Sequence, residues 1–245
     1  MTRMPHPERR SVKALVIGIS QSGKSTFALA LALCFYKQVV IWDANEVFLG
    51  VVKEPVTNLD ELQDAIEDQE PVVVYDASMV ADKPEEFEAF AAVLEQYDGI
   101  TLLIDESGDI QRATAPNRGL DRLLRRAGRR GNDIIETTHR PGDIATLNRS
   151  LTTDVYLFFM WNKQQLRTVA NEFGDDVAQA AAALPPDGYH YIHLDPHTGR
   201  FSVDTASDVW YIDLDRPVSE KRRFTEPERN LRRELWRERE TEAYS

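Results

Sequence analysis

An α/β fold built on a mostly parallel central sheet, with helices on both faces, follows from three features of the sequence. Short apolar runs alternate with segments of helical periodicity. Several of those runs are uninterrupted, as strands buried on both faces require. The first run leads through a Gly/Ser-rich turn directly into a helical segment, the strand–turn–helix order of a phosphate-binding unit. The 245 residues suffice for one sizeable core. With 42% apolar and 29% charged residues the composition is that of a folded globular chain.

The elements can be read in order. Residues 12–17 form the first strand, 18–25 the turn GISQSGKS, and 26–35 the first helix. A second strand at 38–45 carries Asp43 at its carboxyl end. Residues 58–68 place Leu59, Leu62, Ala65 and Ile66 at helical spacing, so their acids form a solvated face. The third strand is 72–78. The helix at 84–97 has Phe87, Phe90, Ala91 and Leu94 on one stripe. The fourth strand, 100–107, is an apolar run that ends in Asp105 and Glu106. A basic helix at 120–130 precedes the fifth strand at 133–140, a loop and short helix at 141–148, and the sixth strand at 155–161. Helices at 164–173 and 176–184 are parted by Gly174. Strands at 189–195 and 201–205 flank the turn signal PHTG, a hairpin that adds an antiparallel edge. Residues 1–215 are read as one nucleotide-binding domain with a polar lead-in, and 216–245 as a charged helical tail.

No apolar run approaches the ~20 residues of a membrane span, and the amino terminus has no apolar leader. The single cysteine, Cys34, has no internal disulfide partner and reads as core packing. A cytoplasmic setting is the default. The net charge of −12 argues against a protein that coats DNA generally. That charge is uneven: between Asp43 and Asp98 sixteen acids face two lysines, which leaves the rest of the chain nearly neutral.

The turn fits G-x-x-x-x-G-K-[ST] at every fixed position. Gly18 and Gly23 let the backbone wrap closely around a polyphosphate, with the N–H groups of the loop, including Ser20, Gln21 and Ser22, pointing inward. The helix start at Thr26 adds partial positive charge. Lys24 supplies a full charge to the terminal phosphates, and Ser25 is a ligand for Mg²⁺. The expected cofactors are therefore ATP and Mg²⁺. An apolar strand ending in Asp-Glu makes Asp105 a second Mg²⁺ ligand and Glu106 the general base for a lytic water; the plain alternative is a pair of solvated acids. Arg122, Arg125, Arg126, Arg129 and Arg130 crowd one short helix and its end. They read as a solvated face opposed by acids of the same chain, as a lining that neutralises DNA phosphates without reading sequence, or as the source of an arginine finger for a neighbouring subunit. Arg129 and Arg130 are the expected finger positions. His139, at the tip of the fifth strand, reads as a γ-phosphate sensor or as an ordinary loop histidine.

GISQSGKS, LLIDES and RRAGRRGNDIIETTHRP together resemble the HerA/FtsK superfamily of P-loop DNA-pumping ATPases. The similarity runs from about residue 12 to 161. Within the superfamily the size resembles the genome-packaging ATPases of tailless icosahedral, membrane-containing viruses. The filamentous-phage assembly ATPases related to zonula occludens toxin are a second resemblance, although those relatives carry a membrane span after the core. The resemblance implies a RecA/FtsK-like core and a ring oligomer, commonly a hexamer, around double-stranded DNA. Capsid or portal-vertex proteins would be further partners, in the host cytoplasm or at the packaging vertex. The family usually has Gln where this chain has His139. A P-loop kinase for a small molecule and a non-catalytic nucleotide switch stay open as other classes.

Overall fold

Strands too apolar to face water on either side have to be sandwiched. They are so arranged in the computed structural model, which describes residues 11–35, 37–186 and 190–205. The strands are β1 (Lys13–Ile17), β2 (Gln38–Asp43), β3 (Val72–Asp76), β4 (Ile100–Ile104), β5 (Asp133–Thr138), β6 (Asp154–Phe158), β7 (His190–Leu194) and β8 (Phe201–Thr205). They form one sheet in the order β3-β2-β4-β5-β1-β6-β7-β8. β3 to β6 in that order run parallel, and β7 and β8 add an antiparallel edge. The helices are α1 (Lys24–Leu33), α2 (Leu59–Glu67), α3 (Lys83–Leu94), α4 (Arg118–Arg130), α5 (Thr146–Leu151), α6 (Lys163–Phe173) and α7 (Asp175–Ala183).

The two faces are covered unequally. On one face α1 packs on β1 and its neighbours through Phe27, Leu29 and Leu31, with Phe48 and Val51 from the turn after β2 closing the far end. On the other face α2, α3 and α4 cover β2 to β5, and α6 and α7 cover β1, β6 and β7. Trp42 stacks on Tyr75 at 5.4 Å between ring centroids and meets the edges of Phe87 and Phe90. Burial of rings of this size contributes on the order of 2–3 kcal/mol each. Helix starts are fixed by side-chain caps. Asn58, Asp82, Asn117 and Asn162 accept from backbone N–H groups of α2, α3, α4 and α6, each worth about 1 kcal/mol.

Every element expected from the sequence within the described residues is present. β2 to β6 stop two or three residues short of the expected carboxyl ends, because the polar residues there leave the ladder. Asn45, Asp105 and Glu106, His139 and Trp161 thus lie beyond the sheet rather than in it. The lead-in at 1–10 and the tail at 216–245 lie outside the described residues.

One acid is buried inside this frame. Glu136 of β5 lies between Leu15 of β1 and Ile104 of β4. Its Oε2 accepts from Gln111 Nε2 at 2.9 Å. Gln111 Oε1 in turn accepts from Asn148 Nδ2 at 2.7 Å and from Ala145 N at 3.3 Å, so this network ties β5 to α5. Burial pushes the Glu136 carboxyl up to about 7, against 4.5 for a free glutamate. Between those values the folded chain keeps a proton that the unfolded chain has lost. Stability therefore falls as pH rises through that window, and the loss is complete above about pH 7. The size is of order 3 kcal/mol. Denaturant melts at pH 5 and pH 8 are expected to show that Glu136→Gln removes this part of the slope. A variant as pH-dependent as the parent chain would mean that burial does not set the protonation of Glu136.

Candidate active site

Local backbone geometry builds the loop between β1 and α1. A Cβ on Gly18 would come within 2.7 Å of Phe158 Cβ and of Ser22 Oγ, so only glycine fits there. Gly23 takes φ 84° at the start of α1 and offers no side-chain cap, which leaves the first N–H groups of the helix directed into the loop. Gln21 is left-handed as well, at φ 61°, a conformation that costs about 1 kcal/mol or more for a side chain of this kind. Ser22 Oγ is buried and has no hydrogen-bond partner among the described residues. A cradle of this shape, with an orphaned hydroxyl and an uncapped helix start, fits a polyphosphate.

The parallel register fixes what faces the loop. β4 pairs with β5 so that Ile104 lies opposite Glu136, which brings the next residues, Asp105 and Thr137, together. Thr137 Oγ1 donates to Asp105 Oδ1 at 3.2 Å, and Asn45 Nδ2 donates to Asp105 Oδ2 at 3.1 Å. Burial pushes the Asp105 carboxyl up, while these two hydrogen bonds favour its charged form and oppose the shift. Asn45 is held by Asp43, whose buried carboxylate accepts from the N–H groups of Asn45, Val47 and Phe48 at 3.3, 3.0 and 2.7 Å. Burial also raises Asp43, and its three backbone bonds act against that.

Glu106 adopts φ 47°, the left-handed region, where a non-glycine residue is strained by roughly 1–3 kcal/mol. Its own N–H donates to Thr137 Oγ1 at 3.0 Å. Its Oε1 accepts from Thr138 Oγ1 at 3.0 Å, and the His139 N–H lies 3.2 Å from both carboxylate oxygens. His139 Nε2 stands 3.3 Å from Glu106 Oε2. The other ring nitrogen, Nδ1, lies 2.9 Å from Lys24 Nζ and 3.2 Å from Gly18 O. An ammonium at Lys24 can only donate, so toward it Nδ1 is the acceptor. Burial pulls the Lys24 ammonium down from its usual value, and Glu106 and Asp105 act in the opposite sense.

These groups meet in one cleft of about 360 Å³. Ser20, Gln21, Lys24 and Ser25 line it from the loop, and Asp105, Glu106 and His139 from the strand ends. Asn45, Val47 and Asp109 complete the lining and were not among the expected site residues. The signal for Asn45 was its place just past a buried strand ending in Asp43; only the pairing of β2 with β4 brings it to Asp105. The hard oxygens of Ser25 and Asp105 share the cleft and suit Mg²⁺, which commonly takes few protein ligands and completes its shell with phosphate and water. No group of three or more His, Cys, Asp or Glu residues able to hold a metal ion exists among the described residues.

The arginine helix is elsewhere. Its carboxyl end leads into the amino end of β5, a strand length from the cleft. Arg122 and Arg126 share the carboxylate of Glu95 at 2.5 and 2.6 Å, Arg125 binds Asp121 at 2.7 Å, and Arg130 binds Asp98 at 2.8 Å. For these four the solvated face with acids of the same chain opposite is what the structure contains. Arg129 is exposed and makes no ion pair among the described residues. Neither Arg129 nor Arg130 reaches the cleft of its own chain.

No protein-family model and no curated protein matches this sequence. Solved structures match in fold. The genome-packaging NTPase B204 from Sulfolobus turreted icosahedral virus 2, in complex with ATP-γ-S, aligns with a TM-score of 0.65 at 19% identity, over 78% of this chain and 96% of that one. VirB4 of Thermoanaerobacter pseudethanolicus aligns with a TM-score of 0.59 at 10% identity, over 82% of this chain and 91% of that one. EccC of Thermomonospora curvata (ATPases 2 and 3, with a signal-sequence peptide) gives 0.50 at 13% identity, over 80% of this chain and 37% of that one. At such identities the likeness is one of fold, and the fold is that of the P-loop NTPases: a mostly parallel sheet with antiparallel strands added beyond β6.

Proposed function

We propose that this chain is an ATPase that drives double-stranded DNA through a ring of its own copies, hexameric by resemblance, and that it feeds a genome into a preformed viral capsid. One observation carries the reading. The phosphate loop, the Asp105–Glu106 pair and His139 converge in a single cleft of a chain that shares its fold with a viral genome-packaging NTPase.

The residues take roles that their positions support. Backbone N–H groups of residues 18–26 hold the phosphates, and Lys24 neutralises the β- and γ-phosphates. Ser25 and Asp105 would hold Mg²⁺, which would supply further neutralisation of phosphate charge. Asn45 and Thr137 keep the Asp105 carboxylate turned toward that position. Glu106 is the general base for the attacking water. Its carboxylate accepts from Thr138 Oγ1 and from the His139 N–H, contacts that hold it in place at the tip of β5. His139 bridges Lys24 and Glu106, which suits a group that reports an arriving γ-phosphate to the base. Hydrolysis, rather than transfer to another acceptor, follows from a carboxylate set beside the Mg²⁺ ligand.

A ring reconciles the acidic chain with a DNA track, since the outside can be negative while the bore is positive. It also gives Arg129 and Arg130 a site within reach, the cleft of the neighbouring copy. Arg129 is the better placed of the two, because Arg130 holds Asp98.

Glu106→Gln is expected to keep ATP binding while lowering turnover by roughly 10²–10⁴-fold. Binding measured with labelled nucleotide, alongside phosphate release, checks this; full turnover in the variant removes Glu106 as base. Added duplex DNA at low salt is expected to raise the ATPase rate. A rate that stays flat across the DNA titration would refute the motor reading, and phosphate found on a small-molecule acceptor would replace it with a kinase.

A further inference from the structure

The reacting groups of the cleft all lie to one side of β1. His139 follows β5, Asp105 and Glu106 follow β4, and Asn45 follows β2, and those strands succeed one another on the same flank. A triphosphate threaded through the loop at 18–25 must turn its γ-phosphate to that flank, where the base and the Mg²⁺ ligands are. Its nucleoside end then leaves on the opposite flank, over the carboxyl end of β6.

That end of β6 is built against the loop. β6 runs parallel to β1 with Leu157 opposite Ile17, and Phe158 backs directly onto Gly18. Three residues further on, Trp161 is 68% exposed. The other tryptophan in the described residues, Trp42, is fully buried in an aromatic cluster, so an indole left in water is unusual for this chain. The segment that carries Trp161 is anchored on both sides. Met160 is buried before it. After it, Asn162 caps α6 by accepting from the N–H groups of Gln164 and Gln165 at 2.8 and 3.2 Å. Gln165 Nε2 donates to His139 O at 2.8 Å, which pins the start of α6 to the rim of the cleft.

We propose that Trp161 is the platform on which the nucleobase stacks. This rests on the reading of the cleft as a nucleoside triphosphate site and adds where the base goes and by what chemistry it is held. Stacking on an indole face is worth about a factor of ten or more in affinity and accepts any base. Larger purines gain most contact, so purine triphosphates are favoured over pyrimidine ones and ATP is only weakly separated from GTP.

The test compares two probes on the full chain by calorimetry in Mg²⁺: a non-hydrolysable ATP analogue, and inorganic tripolyphosphate, which has phosphates but no base. Trp161→Ala is expected to weaken the analogue about tenfold and to leave tripolyphosphate within twofold, while Trp161→Phe keeps most of the analogue affinity. Binding of the analogue should quench the tryptophan fluorescence of the parent chain and do so far less in Trp161→Phe. Unchanged analogue affinity in Trp161→Ala overturns the proposal, as does an equal loss for both probes, which would mean a disturbed phosphate loop. A variant that changes oligomer mass at constant analogue affinity would assign Trp161 to a subunit contact instead. If the parent chain binds neither probe, the nucleotide reading itself fails and the stacking proposal falls with it.

Discussion

The parallel pairing of β1, β5 and β4 is the constraint on which the site depends. Parallel strands end on the same edge of a sheet, so Gly18, Asp105 and His139, the first and last of them 121 residues apart in sequence, come out side by side. The energy that enforces this alignment is apolar. Each of the three strands is buried on both faces, and a slip of one residue in β5 would turn Glu136 away from Gln111 and into the apolar layer under α1. The geometry of the cleft thus follows from core packing, which decides which polar residues past the strand ends become neighbours.

Those polar residues hold one another. Lys24 is a buried cation facing two acids. Desolvation dominates and lowers its affinity for the proton, and the nearby Glu106 and Asp105 oppose that only in part. Asp105 shows the converse balance, an acid raised by burial and restrained by Asn45 and Thr137. Lys24 thus lies against His139, and the Glu106 carboxylate accepts from Thr138 Oγ1 and the His139 N–H. A group that drew Lys24 away from His139 would also disturb the contact of His139 with Glu106. The left-handed backbone of Glu106 is the price of pointing that carboxylate back at the tip of β5.

Charge that is segregated along the sequence is mixed in space. Glu95 and Asp98 close the acidic stretch, and they take up Arg122, Arg126 and Arg130 of the basic helix, because α3 and α4 pack side by side on one half of the sheet. Exposed pairs of this kind contribute little stability, but they neutralise most of a stripe that the sequence presents as free cations. Arg129 is left over. An electrostatic role for this helix toward DNA or a neighbouring copy has to work through that residue or through Arg118, also exposed and without an ion pair among the described residues, or else exchange partners that the other arginines already have.

The sequence alone determined the order and type of the elements, the loop at 18–25 and the acids at 105 and 106. Each of these is written in local pattern: apolar runs, helical spacing, glycines at a fixed interval, and acids at the end of a buried run. It also overran the strands, because periodicity does not record where a chain leaves the ladder, and so it put Trp161 inside a strand that ends at Phe158. Only the tertiary structure decided that Asn45 touches Asp105, that Thr137 and Thr138 divide the two acids between them, and that His139 lies between Lys24 and Glu106. Those contacts depend on which strands are neighbours. That order is set by how helices cover the two faces of the sheet, a global packing outcome that no local stretch of residues encodes.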